Sequence, residues 1–404
     1  MEDAAVTQRT GSARMAGFAG SGIRRVFDAA GALEREGRTI AHLEIGRPDF
    51  DTPGHIKDAA IDALRGGRVH YTPNAGIPEL RAAIAEKLAR DNGLQVDADR
   101  GVVVTVGAKE SVFMCLYGLL DPGDEILTPT PIWPDYVDTT KVVGAVPVQV
   151  PLRPERGYQP DAADLEAAMT PRTKALVVHS PHNPTGAVCE AATLRAVAEL
   201  AVRHDLLVIA DEIYEKLVYA GARHVSIAAL PGMFERTVTI NGFSKAYSMT
   251  GWRLGYVAGP SALIAPLLKV HQCTTTCANS FAQWGGVAAY RGDQACVAEM
   301  VREFDRRRRL VVDTLRRVPG VELVEPRGAF YAFPDVHRLG MDDTDLAEYL
   351  LHEAGVATVP GSTFGQSGTG HLRISYAAGY DVLAGALERM ARALGALASK
   401  APAR

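Results

Sequence analysis

The segment "NGFSKAYSMTGWRLGY", residues 241–256, holds three side chains that could take part in chemistry, namely Ser244, Lys245 and Arg253. It begins at the end of the apolar run "TVTIN", which is typical of a buried strand, so Lys245 lies where a strand leaves the core. In open α/β sheets, ligands bind at the carboxyl ends of the strands. Most lysines are solvated surface groups, but the position of this one indicates a ligand site.

Two further apolar runs end in polar residues in the same way. The run "KALVVHSPHNPTG" leads to Asn183, and "LLVIADEIY" leads to Asp211 and Tyr214. If these runs are neighbouring strands, their polar ends converge with Lys245 at one edge of a sheet. Each residue taken alone could be a turn or capping residue, and for Asp211 the role of helix N-cap is an equal alternative.

Strand-like runs alternate with helical patterns between about residues 55 and 290, which is typical of a mainly parallel sheet with helices on both faces. The strand-like runs are "GVVVTVG", "DEILTP", "KALVVHSP", "LLVIADEIY", "TVTINGF" and "LGYVAGP". After residue 295 a long charged helix precedes the shorter strands "VELVEP", "AFYAFPDV" and "HLRISYAA". We therefore predict an α/β fold with a large domain, 53–294, and a smaller α+β domain built from 295–404 together with 1–52.

Composition narrows the function further. The chain has 404 residues, is 47% hydrophobic and 22% charged, and has a net charge of -4, so no excess of positive charge favours nucleic acid or an anionic membrane. No apolar run is long enough to span a bilayer, and residues 1–20 have no signal-peptide core, which makes the cytoplasm the default location. We interpret the arginine run 306–309 as a solvated helix face.

The cysteines indicate reduced thiols. There are five, an odd number spread over a long chain, which does not suit a disulfide framework. Cys273 and Cys277 are the closest pair, but no second Cys or His pair has matching spacing, so we predict no metal site.

Nine motifs together resemble those of the class I/II aminotransferases, the aspartate-aminotransferase family of fold type I pyridoxal-phosphate enzymes. In chain order they are "IGRPDF", "HYTPNAGIPELR", "VTVGAKES", "PTPIWPDY", "SPHNPTG", "DEIY", "SKAYSMTGWRLGY", "GAFYAFP" and "HLRISYA". The likeness extends from about residue 20 to residue 395. It implies pyridoxal 5'-phosphate as the cofactor and an amino acid and a 2-oxo acid as the substrates.

The resemblance assigns the catalytic roles to three of these residues. Lys245 matches the lysine that binds the cofactor aldehyde and later moves the substrate proton. Asp211 matches the carboxylate that keeps the pyridine nitrogen protonated, so that the ring can act as an electron sink. Tyr214, with Asn183, matches the groups that hydrogen-bond the 3'-oxygen of the cofactor.

A second set of residues would hold the cofactor phosphate and ring. The pattern of strand, small-residue turn and helix puts Gly107, Ala108 and Lys109 at a helix N-terminus, where free N–H groups favour an anion. By resemblance, Ser244 and Arg253 also contact the phosphate, and Trp133 stacks on the cofactor ring.

Tyr71 matches a tyrosine that reaches the phosphate from the neighbouring subunit. The expected functional unit is therefore a homodimer with shared active sites.

Substrate recognition is assigned by the same resemblance. Arg373 matches the bidentate group for the substrate α-carboxylate, with further contacts from Gly46 and Asn183. Lys109 is the leading candidate to bind the distal carboxylate of an acidic substrate such as glutamate or aspartate, and Arg47 is a weaker one. An equal alternative is that Lys109 serves only the phosphate-binding helix start or points to solvent. Arg47 is also a departure, because many relatives have Glu at this position of "IGRPDF", and "PIWPDY" departs from the common "PYWVSY".

Two other functions stay open at this point. A lyase, decarboxylase or oxidase could share this fold and cofactor, because the same cofactor chemistry can partition several ways. A transcription regulator that copies the fold would need a DNA-binding domain, and the roughly 40 residues before "IGRPDF" are too few for a typical domain of about 50 or more.

Overall fold

The computed structural model describes residues 20–399, together with Ser12 and Met15. The stretch 1–20, in which we found no signal-peptide core, lies almost entirely outside the described residues. Among the described helices, none combines the length and the apolar character that crossing a membrane requires.

The strands are short and mostly buried. In chain order they are β1 (Ala41–His42), β2 (Val102–Thr105), β3 (Glu125–Thr130), β4 (Val146–Pro151), β5 (Thr173–His179), β6 (Leu207–Asp211), β7 (Thr237–Gly242), β8 (Gly255–Ala258), β9 (Tyr331–Ala332), β10 (Val356–Ala357), β11 (Val359–Pro360) and β12 (Leu372–Ser375).

The α-helices range in length from six to 21 residues. In chain order they are α1 (Gly22–Arg35), α2 (Gly54–Arg65), α3 (Pro78–Lys87), α4 (Ala108–Leu119), α5 (Asp135–Val142), α6 (Ala162–Ala167), α7 (Ala191–Arg203), α8 (Ser261–Thr274), α9 (Ser280–Arg291), α10 (Ala295–Leu315), α11 (Asp343–Tyr349) and α12 (Tyr380–Ala398). Helices α3 and α11 each continue into a π-helical turn, Leu88–Asn92 and Leu350–Ala354.

The large sheet has the strand order β2-β8-β7-β6-β5-β3-β4. It is parallel except around β8, which is antiparallel to both β2 and β7. All six strand-like runs that we predicted for this region are strands of this sheet. Strand β4 was not predicted from the sequence. It is an edge strand, and its two prolines, Pro147 and Pro151, are tolerated because an edge strand needs fewer ladder hydrogen bonds.

Helices cover both faces of this sheet. Along β5 the side chains alternate, so that Leu176 joins a core with α7 residues such as Leu194, whereas Val177 joins a separate core with Met114 of α4. The prediction of a mainly parallel sheet with helices on both faces is confirmed.

The first and last parts of the chain pack together. Strand β1 pairs in parallel with β10, and β12 pairs with β11 and β9 in an antiparallel sheet. Leu43, near β1, shares a core with Val356 and with Leu387 of α12. These contacts agree with a smaller α+β unit made from both chain ends, although the domain boundaries themselves stay a prediction.

The strand predicted at "VELVEP" is wrong. This segment forms only an isolated antiparallel bridge between Glu322 and Asp335. The pairing does not extend because Pro334, beside Asp335, has no N–H to donate, and the chain after Asp335 turns into the short 3₁₀ helix His337–Leu339.

The interpretation of residues 306–309 as a solvated face is wrong for two of the four arginines. Arg307 and Arg308 are each only 4% exposed. Arg307 forms an ion pair with Asp49 at 2.7 Å, and Arg308 pairs with Asp305 at 2.7 Å. Burial is possible because each guanidinium has a carboxylate partner, and the Arg307 pair ties α10 to the "IGRPDF" segment.

Strand β8 passes directly beneath the N-terminus of α4. A Cβ atom on Gly255 would lie 2.6 Å from the amide nitrogen of Ala108 and 2.7 Å from the carbonyl carbon of Gly107. Both neighbours are backbone atoms, which cannot move without shifting the helix start. Glycine is therefore required at this position.

We predict that Gly255→Ala lowers the free energy of unfolding by about 1–3 kcal/mol, because the added methyl overpacks this contact. Chemical denaturation followed by circular dichroism measures the change. Gly395→Ala is the matched control, since nothing lies within 4 Å of its added Cβ and the residue is inside α12. This control should stabilise the protein by up to about 1 kcal/mol, and equal effects of the two substitutions would contradict the close approach.

Candidate active site

A cavity of about 370 Å³ lies at the carboxyl ends of β5, β6 and β7. Eleven of the thirteen site residues selected from the sequence line it. They are Gly46, Ala108, Lys109, Trp133, Asn183, Asp211, Tyr214, Ser244, Lys245, Arg253 and Arg373. Residues that are far apart in the chain therefore meet at one place, as the alignment of strand ends requires.

Lys245 lies at the centre of this arrangement. Its Nζ atom donates a hydrogen bond to the carbonyl oxygen of Gly46 at 2.6 Å and lies 5.6 Å from the ring centres of Tyr214 and Phe330. Burial lowers the pKa of Lys245 to about 8, and the positive charges of Arg373 and Arg253 act in the same direction. A substantial fraction of the amine is consequently neutral near pH 8, and a neutral amine is a nucleophile and a base.

Asp211, the last residue of β6, is 3% exposed. Tyr136 donates its hydroxyl to Oδ2 at 2.8 Å, and the backbone N–H of Ile213 donates to Oδ1 at 3.1 Å. Burial raises the pKa of Asp211 to about 6, although both hydrogen bonds and the charge of Lys245 oppose the increase. A buried carboxylate with this environment gains from a cationic partner such as a protonated ring nitrogen.

The carboxylate-binding candidates form a second group on the side of β9 and β12. Arg373 is 1% exposed, donates to Asn183 Oδ1 at 3.1 Å and to the carbonyl oxygen of Glu44, and stacks on Tyr331 with 4.6 Å between its Cζ and the ring centre. Its Nε atom has no partner among the described residues. The hydroxyls of Tyr214 and Tyr331 are 2.8 Å apart and share a hydrogen bond.

The N-terminus of α4 faces the cavity from the other side. Gly107, its N-cap, has a φ of 76°, which glycine adopts without strain, and a Cβ atom there would collide with the guanidinium of Arg253. The backbone of Arg253 is also in the left-handed region, with a φ of 53°, and its guanidinium donates a hydrogen bond to the carbonyl oxygen of Thr250 at 3.0 Å. Gly107 is absent from the cavity lining, but it brings the first free N–H groups of α4 next to a guanidinium, which is an arrangement suited to an anion.

Lys109 and Trp133 line the mouth of the cavity. Lys109 Nζ forms an ion pair with Asp135 at 2.6 Å and lies 5.7 Å from the Trp133 ring centre. Its side chain is 65% exposed. The charge of Lys109 is therefore already engaged, whereas Arg47, which also lines the cavity, has no hydrogen bond or ion pair with the part of the chain that the structure describes.

Tyr71 does not reach this cavity. It is 89% exposed, an unusual state for a large aromatic side chain. Within a single chain it therefore makes no contribution to the site.

Three residues that lie next to the catalytic candidates were not selected from the sequence. Tyr136 bonds Asp211, Tyr331 bonds Tyr214, and His179 lines the cavity with its Nε2 3.9 Å from Asp211 Oδ2. Each lies inside a motif that we quoted, namely "PTPIWPDY", "GAFYAFP" and the run "KALVVHSPHNPTG". Proximity to Asp211 and Tyr214 is the signal that identifies them, and this depends on the tertiary structure.

His179 is also notable for its missing partners. Its side chain is 2% exposed, and neither ring nitrogen has a hydrogen-bond partner among the described residues. Burial lowers its pKa to about 3, so the ring is neutral. A neutral imidazole at this place offers one donor and one acceptor to a ligand in the cavity.

Comparison with known proteins agrees with this geometry. Residues 38–390 match the family model described as aminotransferase class I and II. The chain is 45% identical to an aspartate aminotransferase of Pyrococcus abyssi, over 93% of this chain and 95% of that protein. It is 43% identical to aromatic-amino-acid aminotransferase 2 of Thermococcus litoralis, again over 93% and 95% of the two chains.

A solved structure gives the same result at the level of the fold. The structure of aspartate aminotransferase from Thermus thermophilus with maleate matches with a TM-score of 0.91 at 43% identity, covering 95% of this chain and 100% of that one. The match of the family model over most of the chain and the identities above 40% leave one conclusion: this chain belongs to the class I and II aminotransferases.

Proposed function

We propose that the cavity around Lys245 binds pyridoxal 5'-phosphate, and that this aminotransferase moves an amino group from an L-amino acid to a 2-oxo acid by a ping-pong mechanism. The observation that carries the proposal is that one cavity holds both a buried lysine and a buried carboxylate. Lys245 has a pKa lowered to about 8, and Asp211 is a buried carboxylate. Members of this family use pyridoxal phosphate.

The residues present fit this cofactor. The N-terminus of α4, together with Ser244 and Arg253, offers donors and positive charge for a phosphate. Asp211 offers an anion for a pyridinium nitrogen, and the unpartnered His179 adds a polar group nearby. Trp133 offers a flat aromatic face for the ring.

When bound, the cofactor supplies an electron sink for the charge that develops on the substrate Cα. Lys245 would hold the cofactor through its aldehyde, and its neutral amine would move the proton at the substrate Cα. Asp211 would keep the ring nitrogen protonated, and its two oxygens are oriented by Tyr136 and by the N–H of Ile213. Tyr214 and Asn183 would hydrogen-bond the 3'-oxygen.

Arg373 is proposed to bind the substrate α-carboxylate. Its guanidinium is held by Asn183 and Glu44 and is stacked on Tyr331, so its orientation is set before the substrate enters. The unpartnered Nε supports this role, because it leaves a donor free. The backbone of Gly46 lies beside it in the cavity lining.

The high exposure of Tyr71 supports a homodimer in which Tyr71 reaches the phosphate site of the neighbouring subunit. A tyrosine that is 89% exposed loses most of its contact with water when it enters the site of a partner subunit, and this burial of aromatic surface is favourable. The five cysteines are all free thiols, which supports the proposal that the enzyme acts in the cytoplasm.

The alternative of a lyase, decarboxylase or oxidase is not favoured, because the similar proteins are named as aminotransferases.

We further propose that one substrate pair is acidic, with glutamate and 2-oxoglutarate or aspartate as candidates. The Thermus thermophilus relative was solved with maleate, a dicarboxylate. In this chain the geometry supports Arg47 over Lys109 as the group for the distal carboxylate, because Lys109 is paired with Asp135. This reverses the order that the sequence suggested, where Lys109 was the leading candidate.

The pKa of Lys245 gives a first prediction. The rate at which added pyridoxal phosphate binds covalently to the cofactor-free protein should rise from pH 6 and level off above about pH 8, because the amine is protonated below its pKa. Absorbance in a stopped-flow instrument measures this rate. A lysine with its ordinary pKa of 10.5 would keep gaining rate up to pH 10, and that result would contradict the environment described for Lys245.

Lys245→Ala is the matching variant. It should abolish transamination while still binding the cofactor noncovalently, since the phosphate donors remain. Treatment with borohydride followed by mass spectrometry should leave cofactor mass on the wild type and none on the variant. Turnover near the wild-type rate in the variant would refute the role of Lys245.

Removal of the carboxylate at Asp211 gives a second prediction. Asp211→Ala should bind the cofactor more weakly and lower kcat by about 100-fold or more, because the ring nitrogen loses its counter-charge. Titration of cofactor binding and steady-state kinetics measure the two effects. Tyr136→Phe is the control, since it removes one hydrogen bond but keeps the charge, and its loss should be much smaller. An unchanged kcat in Asp211→Ala would reduce Asp211 to a structural residue.

Substrate choice gives a third prediction. Arg47→Met should lower kcat/KM for glutamate or aspartate by roughly fivefold, because Arg47 is exposed and a solvated charge pair contributes about 1 kcal/mol. Lys109→Met is the control with the same change of charge, and it should lower this kcat/KM less. The kcat/KM for a neutral amino acid should change little in either variant. Equal losses on all substrates, or a wild type that ignores acidic substrates, would refute the acidic-substrate proposal and leave the aminotransferase assignment intact.

A further inference from the structure

The turn after β6 carries two catalytic candidates and two buried carboxylates that point elsewhere. Asp211 and Tyr214 line the cavity, whereas Glu212 and Glu215 are absent from its lining. Glu212 is 3% and Glu215 is 9% exposed. The role proposed above for the cavity does not use these two carboxylates.

Glu212 and Glu215 belong to a cluster of polar side chains behind the turn. Lys87, at the end of α3, has no exposed surface, forms an ion pair with Glu215 and donates to Asn92 Oδ1 at 2.7 Å. Asn92 Nδ2 in turn donates to Glu212 Oε2 at 2.9 Å and to Glu215 Oε2 at 2.8 Å. We call Lys87, Asn92, Glu212, Glu215 and His224 the buried polar cluster.

His224 completes the charge balance of this cluster. Its Nε2 lies 3.1 Å from Glu212 Oε2, and its side chain is 10% exposed. Burial works against protonation, but the carboxylates of Glu212 and Glu215 outweigh it and raise the pKa of His224, while Lys87 opposes them. With His224 protonated, two cations face two carboxylates.

A bound metal ion is an alternative use of these groups, because ligand atoms of Glu212, Glu215 and His224 lie within 4.8 Å of one another. The contact between Lys87 and Glu215 argues against it, since the ammonium already supplies the positive charge that a metal would bring.

Stability alone is a poor reason for this cluster. Removing charges from water costs free energy that their attraction only partly returns, and apolar replacements of buried ion pairs are often neutral or stabilising. What an apolar replacement cannot supply is direction, because each hydrogen bond fixes the angle of the groups that it joins. The cluster joins the turn 212–216 to the end of α3 and to the π-helical turn Leu88–Asn92.

A second contact joins the same two segments. Lys216 Nζ pairs with Asp91 at 2.5 Å, so the turn is held at both of its ends. Within the turn, the N–H of Glu212 donates to the carbonyl of Ile240, and the N–H of Glu215 donates to the carbonyl of Glu212. Since Asp211 and Tyr214 share this short backbone, a rotation of Glu212 or Glu215 moves both.

We propose that the buried polar cluster is a positioning device that holds Asp211 and Tyr214 in the orientation that the cavity requires. Its members touch neither substrate nor cofactor and act through the backbone of the turn. The catalytic consequence rests on the proposed function, whereas the effect on the turn does not.

The deciding variant replaces the central ion pair as a unit, Lys87→Met with Glu215→Met. Its free energy of unfolding should stay close to that of the wild type. The amides of residues 212–217 in the cofactor-free protein should lose protection against hydrogen exchange by about tenfold or more, as measured by mass spectrometry. In the holoenzyme kcat should fall by about tenfold or more with a smaller change in KM, and the absorbance of the bound cofactor should shift.

The matched control removes an exposed ion pair that joins the same helix, α3, to α9, namely Glu86→Gln with Arg291→Gln, whose side chains are 53% and 45% exposed. It should leave protection, kcat and absorbance unchanged. Wild-type protection and kcat in the Lys87→Met, Glu215→Met variant would overturn the proposal, because a merely structural cluster is fully replaced by apolar contacts. Lost protection in a protein whose wild type shows no transamination would retain the positioning role and refute the proposed function instead.

A second measurement uses His224, and it decides the question if the double variant does not fold. A raised pKa means that His224 contributes most below its ordinary value of 6.5, and that this contribution is lost as the pH rises through the raised value. Protection factors for residues 212–217 should therefore fall with rising pH in the wild type and stay flat in His224→Gln. Parallel curves for the two proteins would overturn the proposal, as would a gain of protection on adding Zn²⁺, which would indicate a metal site.

Discussion

The burial of Lys245 beside two other cations is the constraint on which the rest of this site depends. Lys245, Arg253 and Arg373 line one cavity, and Asp211 is the carboxylate that faces them there. Burial lowers the pKa of Lys245 to about 8, and the charges of Arg373 and Arg253 lower it further, because both make the ammonium form unfavourable. The same excess of positive charge favours ligands with anionic groups, such as a phosphate or a carboxylate, so it contributes both to the reactivity of Lys245 and to the choice of ligand.

The strand order of the large sheet positions one group of the residues that line the cavity. Because β5, β6 and β7 are parallel neighbours, their carboxyl ends lie side by side, and each delivers one polar segment to the same edge. Strand β8 then runs back beneath α4, where Gly255 allows the start of the helix to approach the strand closely. Local strand geometry thus accounts for Asn183, Asp211 and Lys245.

A second group of cavity residues is positioned by the packing of the first and last parts of the described chain against each other. Gly46 follows β1, and Arg373 lies on β12, yet Arg373 donates to Glu44 and Lys245 donates to Gly46. Pairing of β1 with β10 and the ion pair between the buried Arg307 and the exposed Asp49 hold the N-terminal segment in this place. The positions of Arg373 and Gly46 in the cavity therefore depend on polar contacts as well as on the apolar core.

The sequence by itself determined six strands of the large sheet and the polar residues at their ends, because runs of alternating or continuous apolar residues directly indicate buried strands. It also determined the cluster of residues that line the cavity, through motifs that lie in order along the chain. The sequence did not indicate β4, and it indicated a full strand at "VELVEP" where only an isolated bridge forms. Pairing at a sheet edge or in a single bridge depends on the neighbouring segment rather than on the residues of the strand itself.

Only the tertiary structure decided which charges are free and which are paired. Arg307 and Arg308 are buried because carboxylates from other segments and from their own helix meet them, and Lys109 is paired because Asp135, at the start of α5, lies 2.6 Å from its Nζ atom. Tyr136, His179 and Tyr331 belong to the site for the same reason, as their partners are distant in sequence. Side-chain chemistry is written in the sequence, but the distance between two side chains, which sets their interaction energy, comes only from the packed chain.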